Sequence, residues 1–258
     1  MFGLDRSVKL VIIGAVLLLT GCARGQYVET VALTPDVYAN LNKSQIGLVQ
    51  NQQDINFEIN RSNVSAATGG GLLFALLDAN ADRINTEKVA EAGAPIRLAL
   101  SDFDYTAQIE EHTKVLVDKH SWLKASGLQV YTGVPAKIVQ EKASQQIGDA
   151  LGLVQYKYSL RPFFKSVHLS VDFALYPTRE DLKALVEGTL DSTGVGPIFK
   201  INSTAEIALE KPKNDDEINV ERWMKDNAKP LKDALAKILD DVMRDLDAKL
   251  GKQTVAQR

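Results

Sequence analysis

Alternation of apolar and polar residues is sharpest between residues 151 and 177, LGLVQYKYSLRPFFKSVHLSVDFALYP. Val154, Tyr156, Tyr158 and Leu160 form one period-two set, and Val167, Leu169, Val171, Phe173 and Leu175 form a second. Two such runs separated by residues 161–166 predict an antiparallel hairpin. The intervening positions, Gln155, Lys157, Ser159, His168, Ser170 and Asp172, define a second sheet face that is wet or turned towards a partner. The same period recurs in IGLVQNQQDINFEIN (46–60) through Ile55, Phe57 and Ile59, which reads as a strand pair or one bent strand. Leu128 to Tyr131 is a short strand candidate, and IFKINSTAEIALE (198–210) returns to alternation through Ile207 and Leu209.

Helical spacing fills the rest. Residues 71–100 begin strongly helical, with Leu73, Leu76, Leu77, Ile84 and Val89 near one stripe; Gly93 and Pro95 mark a break. The first turns are apolar nearly all round, which predicts deep burial or docking on a partner. A second helix starts near Asp104 and carries Ile109, Leu116 and Val117, and a third spans 135–150 with Pro135 in its first turn. Residues 180–196 read as a loop or wide hairpin tip, and KPKNDDE (211–217) as a charged turn. Trp223, Met224, Leu231, Leu235, Ile238, Val242 and Leu246 follow three-four spacing, with Pro230 suited only to the start of the final helix. From Leu231 to Leu250 that helix is about 30 Å long. Its stripe packs on its own sheet, or serves as a coiled-coil strand for a partner. The fold class expected is α+β: a mainly antiparallel sheet, helices on one face, and a long C-terminal helix.

The N-terminus has a different pattern. Arg6 and Lys9 precede the apolar run VIIGAVLLL (11–19), too short for a resident spanning helix. This layout is that of a secretory signal and lies outside fold reasoning. Directly after it, Leu19-Thr20-Gly21-Cys22 resembles the lipobox of bacterial lipoproteins. That resemblance implies that Leu19, Thr20 and Gly21 are the recognition residues before the cut. Cys22 then receives a diacylglycerol on its sulfur and becomes the acylated mature N-terminus, palmitate being a typical acyl group. Two or more acyl chains give stable anchoring, whereas one gives only marginal binding. By the same resemblance, Ala23 rather than Asp after the cysteine points to the outer membrane, facing the periplasm; the outer leaflet of the inner membrane or the cell surface are the alternatives. The expected organisation is a signal peptide over 1–21, a tether over 22–44 that reaches about 70 Å if extended or else packs on the domain, and a single domain over 45–258.

Composition restricts the chemistry. Cys22 is the only cysteine, so no intrachain disulfide forms, and a net charge of −3 suits neither a nucleic-acid surface nor a polybasic membrane patch. The triplet Gly69 to Gly71 invites a phosphate-loop reading, but no GK[ST] follows and Leu72-Leu73-Phe74 come next. The three histidines, His112, His120 and His168, are not spaced as a metal site. Glu111 and Asp118 are near the first two, and Asp172 lies on the side of His168. Structural or surface roles account for them, and no metal or cofactor is expected beyond the covalent lipid. Asp102 and Asp104 in SDFDY flank Phe103 before a helix, where a carboxylate caps exposed N–H groups; a metal or acid/base role is the competing reading. Phe163 and Phe164 at the hairpin tip are candidates for partner contact, or else tuck back on the sheet edge.

These features point to a non-enzymatic envelope lipoprotein. Its acylated N-terminus sits in the bilayer, and its domain binds or supports another envelope protein. A small-ligand or lipid-binding lipoprotein with an apolar cavity beside residues 71–90 is the first alternative. An envelope-polymer hydrolase using Asp102 or Asp104 is the second.

Overall fold

A computed structural model of the chain describes residues 26–27, 30–61, 72–145, 147–186, 189–191, 193 and 195–255. The expected signal segment, the lipobox-like residues 19–22 and the glycine triplet lie outside the described residues. The strands are β1 (Gln26–Tyr27), β2 (Ser44–Val49), β3 (Asn56–Phe57), β4 (Ala125–Tyr131), β5 (Ala150–Leu160), β6 (Ser166–Pro177), β7 (Thr189–Leu190) and β8 (Phe199–Ala208). The helices are α1 (Pro35–Asn40), α2 (Leu72–Ala92), α3 (Ala94–Ala99), α4 (Tyr105–Lys119), α5 (Pro135–Gln145), α6 (Glu180–Ala184), α7 (Asp216–Trp223) and α8 (Lys225–Val255). The main sheet runs β4-β2-β5-β6-β8, with β3 beside β5, and β1 pairs with β7 in a separate two-stranded sheet.

The predicted hairpin is β5–β6, in continuous antiparallel register from Ala150↔Pro177 to Leu160↔Val167. β8 extends it antiparallel to β6. The other half differs from expectation, because β2 is parallel to both β4 and β5. The sheet is therefore mixed. Helices α2, α3 and α4 intervene between β2 and β4, and α5 between β4 and β5, so each crossover returns the chain to the same end of the sheet. A strand in that position is covered on both faces, and all six residues of β2 are buried.

Two cores follow from the pleat. Val154, Tyr156, Tyr158 and Leu160 of β5 and Val167, Leu169, Val171, Phe173 and Leu175 of β6 face the larger core. There they meet Ile109 and Leu116 of α4 and Leu231, Leu235, Ile238, Val242 and Leu246 of α8. The final helix thus packs its stripe on its own sheet. On the opposite face, Ile138 and Val139 of α5 cover Val49, Leu151, Leu153, Ala174 and Tyr176. Helices therefore lie on both faces, which corrects the one-face expectation. The physical reason is local: LGLV and FALY are apolar at successive positions, so both sides of that end of the hairpin need cover.

Local signals account for the element ends. Asp104 caps α4, its Oδ1 accepting from Ala107 N at 2.9 Å. The break between α2 and α3 falls at Gly93, where an added Cβ would lie 2.0 Å from the Phe57 ring. α8 begins with Asp226, Asn227 and Ala228 in left-handed conformation, so its right-handed run starts just before Pro230. The domain also begins earlier than position 45. Leu33, Val37 and Leu41 are buried in the larger core, Thr34 caps α1, and Val31 bridges Lys200. The tether expected over 22–44 is therefore shorter, since residues 31–44 belong to the folded unit. Their apolar spacing of four was masked by Pro35 and by the brevity of the helix.

Candidate binding groove

The last turn of β8 and the two helices after it enclose an open groove of about 590 Å³. Along β8, Ile201, Ser203, Ala205 and Ile207 turn to the helix side, and Ser203 Oγ donates to Asp245 on α8 at 2.6 Å. Ile207 is half-buried and Leu209 is buried, and with Trp223, Pro230 and Ala234 they floor the groove. The volume falls in the range of small-molecule and peptide pockets.

Its rim is rich in cations: Lys211, Arg222, Lys225 and Lys237, against Glu210 and Asp233. The acids are largely spoken for. Asp233 pairs with Lys229 at 2.5 Å, outside the lining, and Glu210 lies 3.9 Å from Lys211. Lys237 pairs with Asp241 at 2.7 Å. Arg222 Nη1 donates to the carbonyls of Lys211 and Glu210, at 2.5 and 3.3 Å, and no carboxylate is paired with it or with Lys225 among the described residues. The mouth therefore has positive charge to offer above an apolar floor.

Of the residues singled out in the sequence, Asp102 and Asp104 share a hollow of about 280 Å³ with Asp54, Arg97, Tyr105 and Tyr158, while the others are dispersed. Phe164 is 1 % exposed and meets Phe57 edge-on at 5.1 Å, so it is a core residue and presents nothing to a partner. Two successive left-handed residues, Phe163 and Phe164, fold the hairpin tip back. α7 then clamps it, with Asn219 Nδ2 donating to Phe163 O at 2.6 Å and Trp223 Nε1 to Phe164 O at 2.7 Å. Phe163 is half-buried, under Lys165. Asp102 pairs with Lys232 at 3.1 Å, and Asp104 spends an oxygen on its helix cap. His120 and Lys119 share the carboxylate of Asp247, at 2.8 and 2.5 Å, while His112 faces Asp240 at 3.7 Å.

On the polar sheet face Lys157 is exposed and Gln155, His168, Ser170 and Asp172 are half-buried, but Ser159 is fully buried. Ser159 opposes His168, which opposes Glu206, and Asp172 accepts from Asn202 at 2.9 Å instead of meeting His168. Glu58 ties this face to Arg161, at 2.8 Å, and accepts from Ser159 at 2.6 Å; these bonds outweigh burial and hold its carboxyl below the usual range. Burial and the nearby Arg161 push the His168 imidazole down, favouring its neutral form. No group of three or more His, Cys, Asp or Glu residues able to hold a metal occurs among the described residues.

Phe163 lines a smaller hollow of about 150 Å³ with Asn60, Asn85, Lys88 and Asp216. One oxygen of Asp216 is buried there without a hydrogen-bond partner, and burial, helped by Asp215, raises its pKa. A raised folded pKa costs stability once the unfolded carboxyl ionises, so the penalty appears as pH rises above about 4. Asp216→Asn should therefore raise the Tm at pH 7, by roughly 2–4 °C for each kcal/mol relieved. The gain should vanish at pH 3. Thermal melts at both pH values check this, and an equal gain at both would rule out the electrostatic cause.

The groove is not legible in the sequence, because Ile207, Leu209, Trp223 and Ala234 look like ordinary core positions. The cations Lys211, Arg222 and Lys225 carry no local signal either, since Asp215, Asp216, Glu217 and Glu221 lie between them in the chain. No helix among the described residues is long and apolar enough to cross a membrane. No family model and no curated protein matches the chain. Among solved structures, the chain is similar to the hypothetical protein CT253 from Chlamydia trachomatis, at 9% identity over 80% of this chain and 98% of that one, with a TM-score of 0.27.

Proposed function

We propose that the chain is a non-enzymatic envelope lipoprotein, anchored through lipid on Cys22 in the outer membrane and facing the periplasm. Its domain engages another envelope protein. The observation that carries the binding role is the groove of about 590 Å³ with an apolar floor and a cationic rim. Tethering confines that groove to the membrane surface, which raises its encounter rate with membrane-borne partners. For the hydrolase alternative, Asp102 and Asp104 do line one hollow of about 280 Å³, where Asp102 also pairs with Lys232 and Asp104 caps α4 through Oδ1.

The test joins anchor and groove. Cys22→Ser should abolish acyl labelling and release the chain from the membrane fraction. A photo-crosslinking residue at position 225 in the lipidated protein should give one discrete envelope adduct, absent with the same group at Lys157 on the polar sheet face. Unchanged membrane attachment of Cys22→Ser would sink the anchor. Identical adducts from both positions, or none from position 225, would sink the groove.

A further inference from the structure

The free edge of β8 adds a second observation beside the groove. Lys200 exchanges both its main-chain hydrogen bonds with Val31, each 2.9 Å, on the side of β8 away from β6. N–H and C=O groups alternate sides along an antiparallel strand, and the β6–β8 register has no bulge. Asn202, Thr204, Glu206 and Ala208 therefore also point outward. Leu209 N, one residue out of phase, donates inward to Lys165 O at 2.8 Å, as this parity requires.

The edge is closed at both ends. Val31 covers Lys200, Lys249 Nζ donates to Asn202 O at 2.6 Å, and Arg222 holds the carbonyls of Glu210 and Lys211. Between them, Thr204, Glu206 and Ala208 are exposed, and their outward main-chain groups have no partner among the described residues. α8 runs alongside, from Asp245 against Ser203 to Pro230 and Ala234 beside Ile207 and Leu209. The open edge thus leads into the groove.

We propose that β8 takes an extended segment of an envelope protein as an added strand, with alternate apolar side chains entering the groove and acidic residues at the end that meets Arg222 and Lys225. This rests on the binding role assigned above and specifies its ligand. Main-chain bonds to Thr204, Glu206 and Ala208 would supply affinity, and the groove would select side chains on one face of the added strand. The charge argument fixes the acidic end. Arg222 and Lys225 lack carboxylate partners among the described residues, and desolvating them beneath a neutral or basic segment would be unfavourable. An acyl chain would use the apolar floor but leave the strand edge unused.

Two synthetic peptides of alternating valine and threonine, one ending in two glutamates and the other in two lysines, test this on the full lipidated protein in detergent. The glutamate peptide should bind saturably and slow amide exchange at Thr204, Glu206 and Ala208. Ala208→Pro removes an outward N–H without touching the β6 ladder, and Lys225→Glu reverses an exposed charge. Each should weaken binding about tenfold. The second variant keeps the test valid if the first perturbs folding. Equal binding of the lysine peptide, binding without protection of those amides, or no binding overturns strand addition. Should the position-225 adduct persist in any of these cases, groove binding survives with another occupant, such as lipid or a second copy of the chain. Loss of both removes both readings.

Discussion

Trp223→Ala is expected to destabilise the domain by about 3–5 kcal/mol, the range for truncating a buried aromatic residue. The indole is 2 % exposed and sits where the hairpin tip, α7 and α8 converge. Its loss would open a cavity and also strand the carbonyl of Phe164, which accepts from Nε1 at 2.7 Å. The two costs separate in Trp223→Phe, which keeps most of the volume and deletes only the N–H. That variant should cost about 1–3 kcal/mol, the price of one buried unsatisfied acceptor. Urea unfolding would read both as lowered midpoints with an unchanged slope. A Trp223→Ala loss below about 1 kcal/mol, within the range of ordinary substitutions, would mean that the clamp on residues 161–165 comes from Asn219 alone. Asn219 is fully buried and holds Phe163 O at 2.6 Å and Lys213 O at 2.7 Å.

That clamp shows what periodicity conveys and what it omits. The strands of the β5–β6 hairpin were legible because only one face of their outer halves is buried, so period two survives undiluted. The stripe of the final helix was legible for the same reason, as was the Asp104 cap. Hidden in the sequence was whatever depends on long-range placement. Leu151, Leu153, Ala174 and Tyr176 belong to a second core that announces itself only as loss of alternation. The parallel pairing of β2 depends on where the crossovers return, which no local pattern encodes. For Phe164 the sequence leaves partner contact and tucking back open; two left-handed residues, unfavourable for phenylalanine, turn it inward. The groove was illegible for a related reason, since Ile207 and Leu209 carry the same pattern whether a helix covers them fully or leaves a gap. The proposed lipid attachment is a separate case: it rests on the resemblance of four contiguous residues and asks nothing of the fold.

Asp191→Ala should be nearly as damaging as loss of Trp223, at about 3–5 kcal/mol, because it breaks a buried ionic cluster by removing one side. Asp191 is 4 % exposed, just after β7 and beneath the second face of the sheet. Its Oδ2 accepts from the Tyr176 hydroxyl at 2.6 Å and lies 3.5 Å from Lys200 Nζ; its Oδ1 takes Thr193 N at 2.8 Å and Thr193 Oγ1 at 2.6 Å. Burial and this carboxylate push the Tyr176 phenol far above its ordinary pKa, so it stays a donor. Alanine at 191 would remove the acceptor of these donors and the carboxylate facing Lys200 in one step. Asp191→Asn keeps an acceptor for Thr193 and should cost less. The decisive comparison is Asp191→Ala/Lys200→Met, in which the charge opposite is also gone. If the buried ammonium's loss of this carboxylate dominates, the double variant recovers much of the stability relative to Asp191→Ala. If Lys200→Met adds a further penalty instead, the hydrogen bonds from Tyr176 and Thr193 dominate, and the carboxylate matters as a knot between the segment after β7 and β6 more than as half of an ion pair.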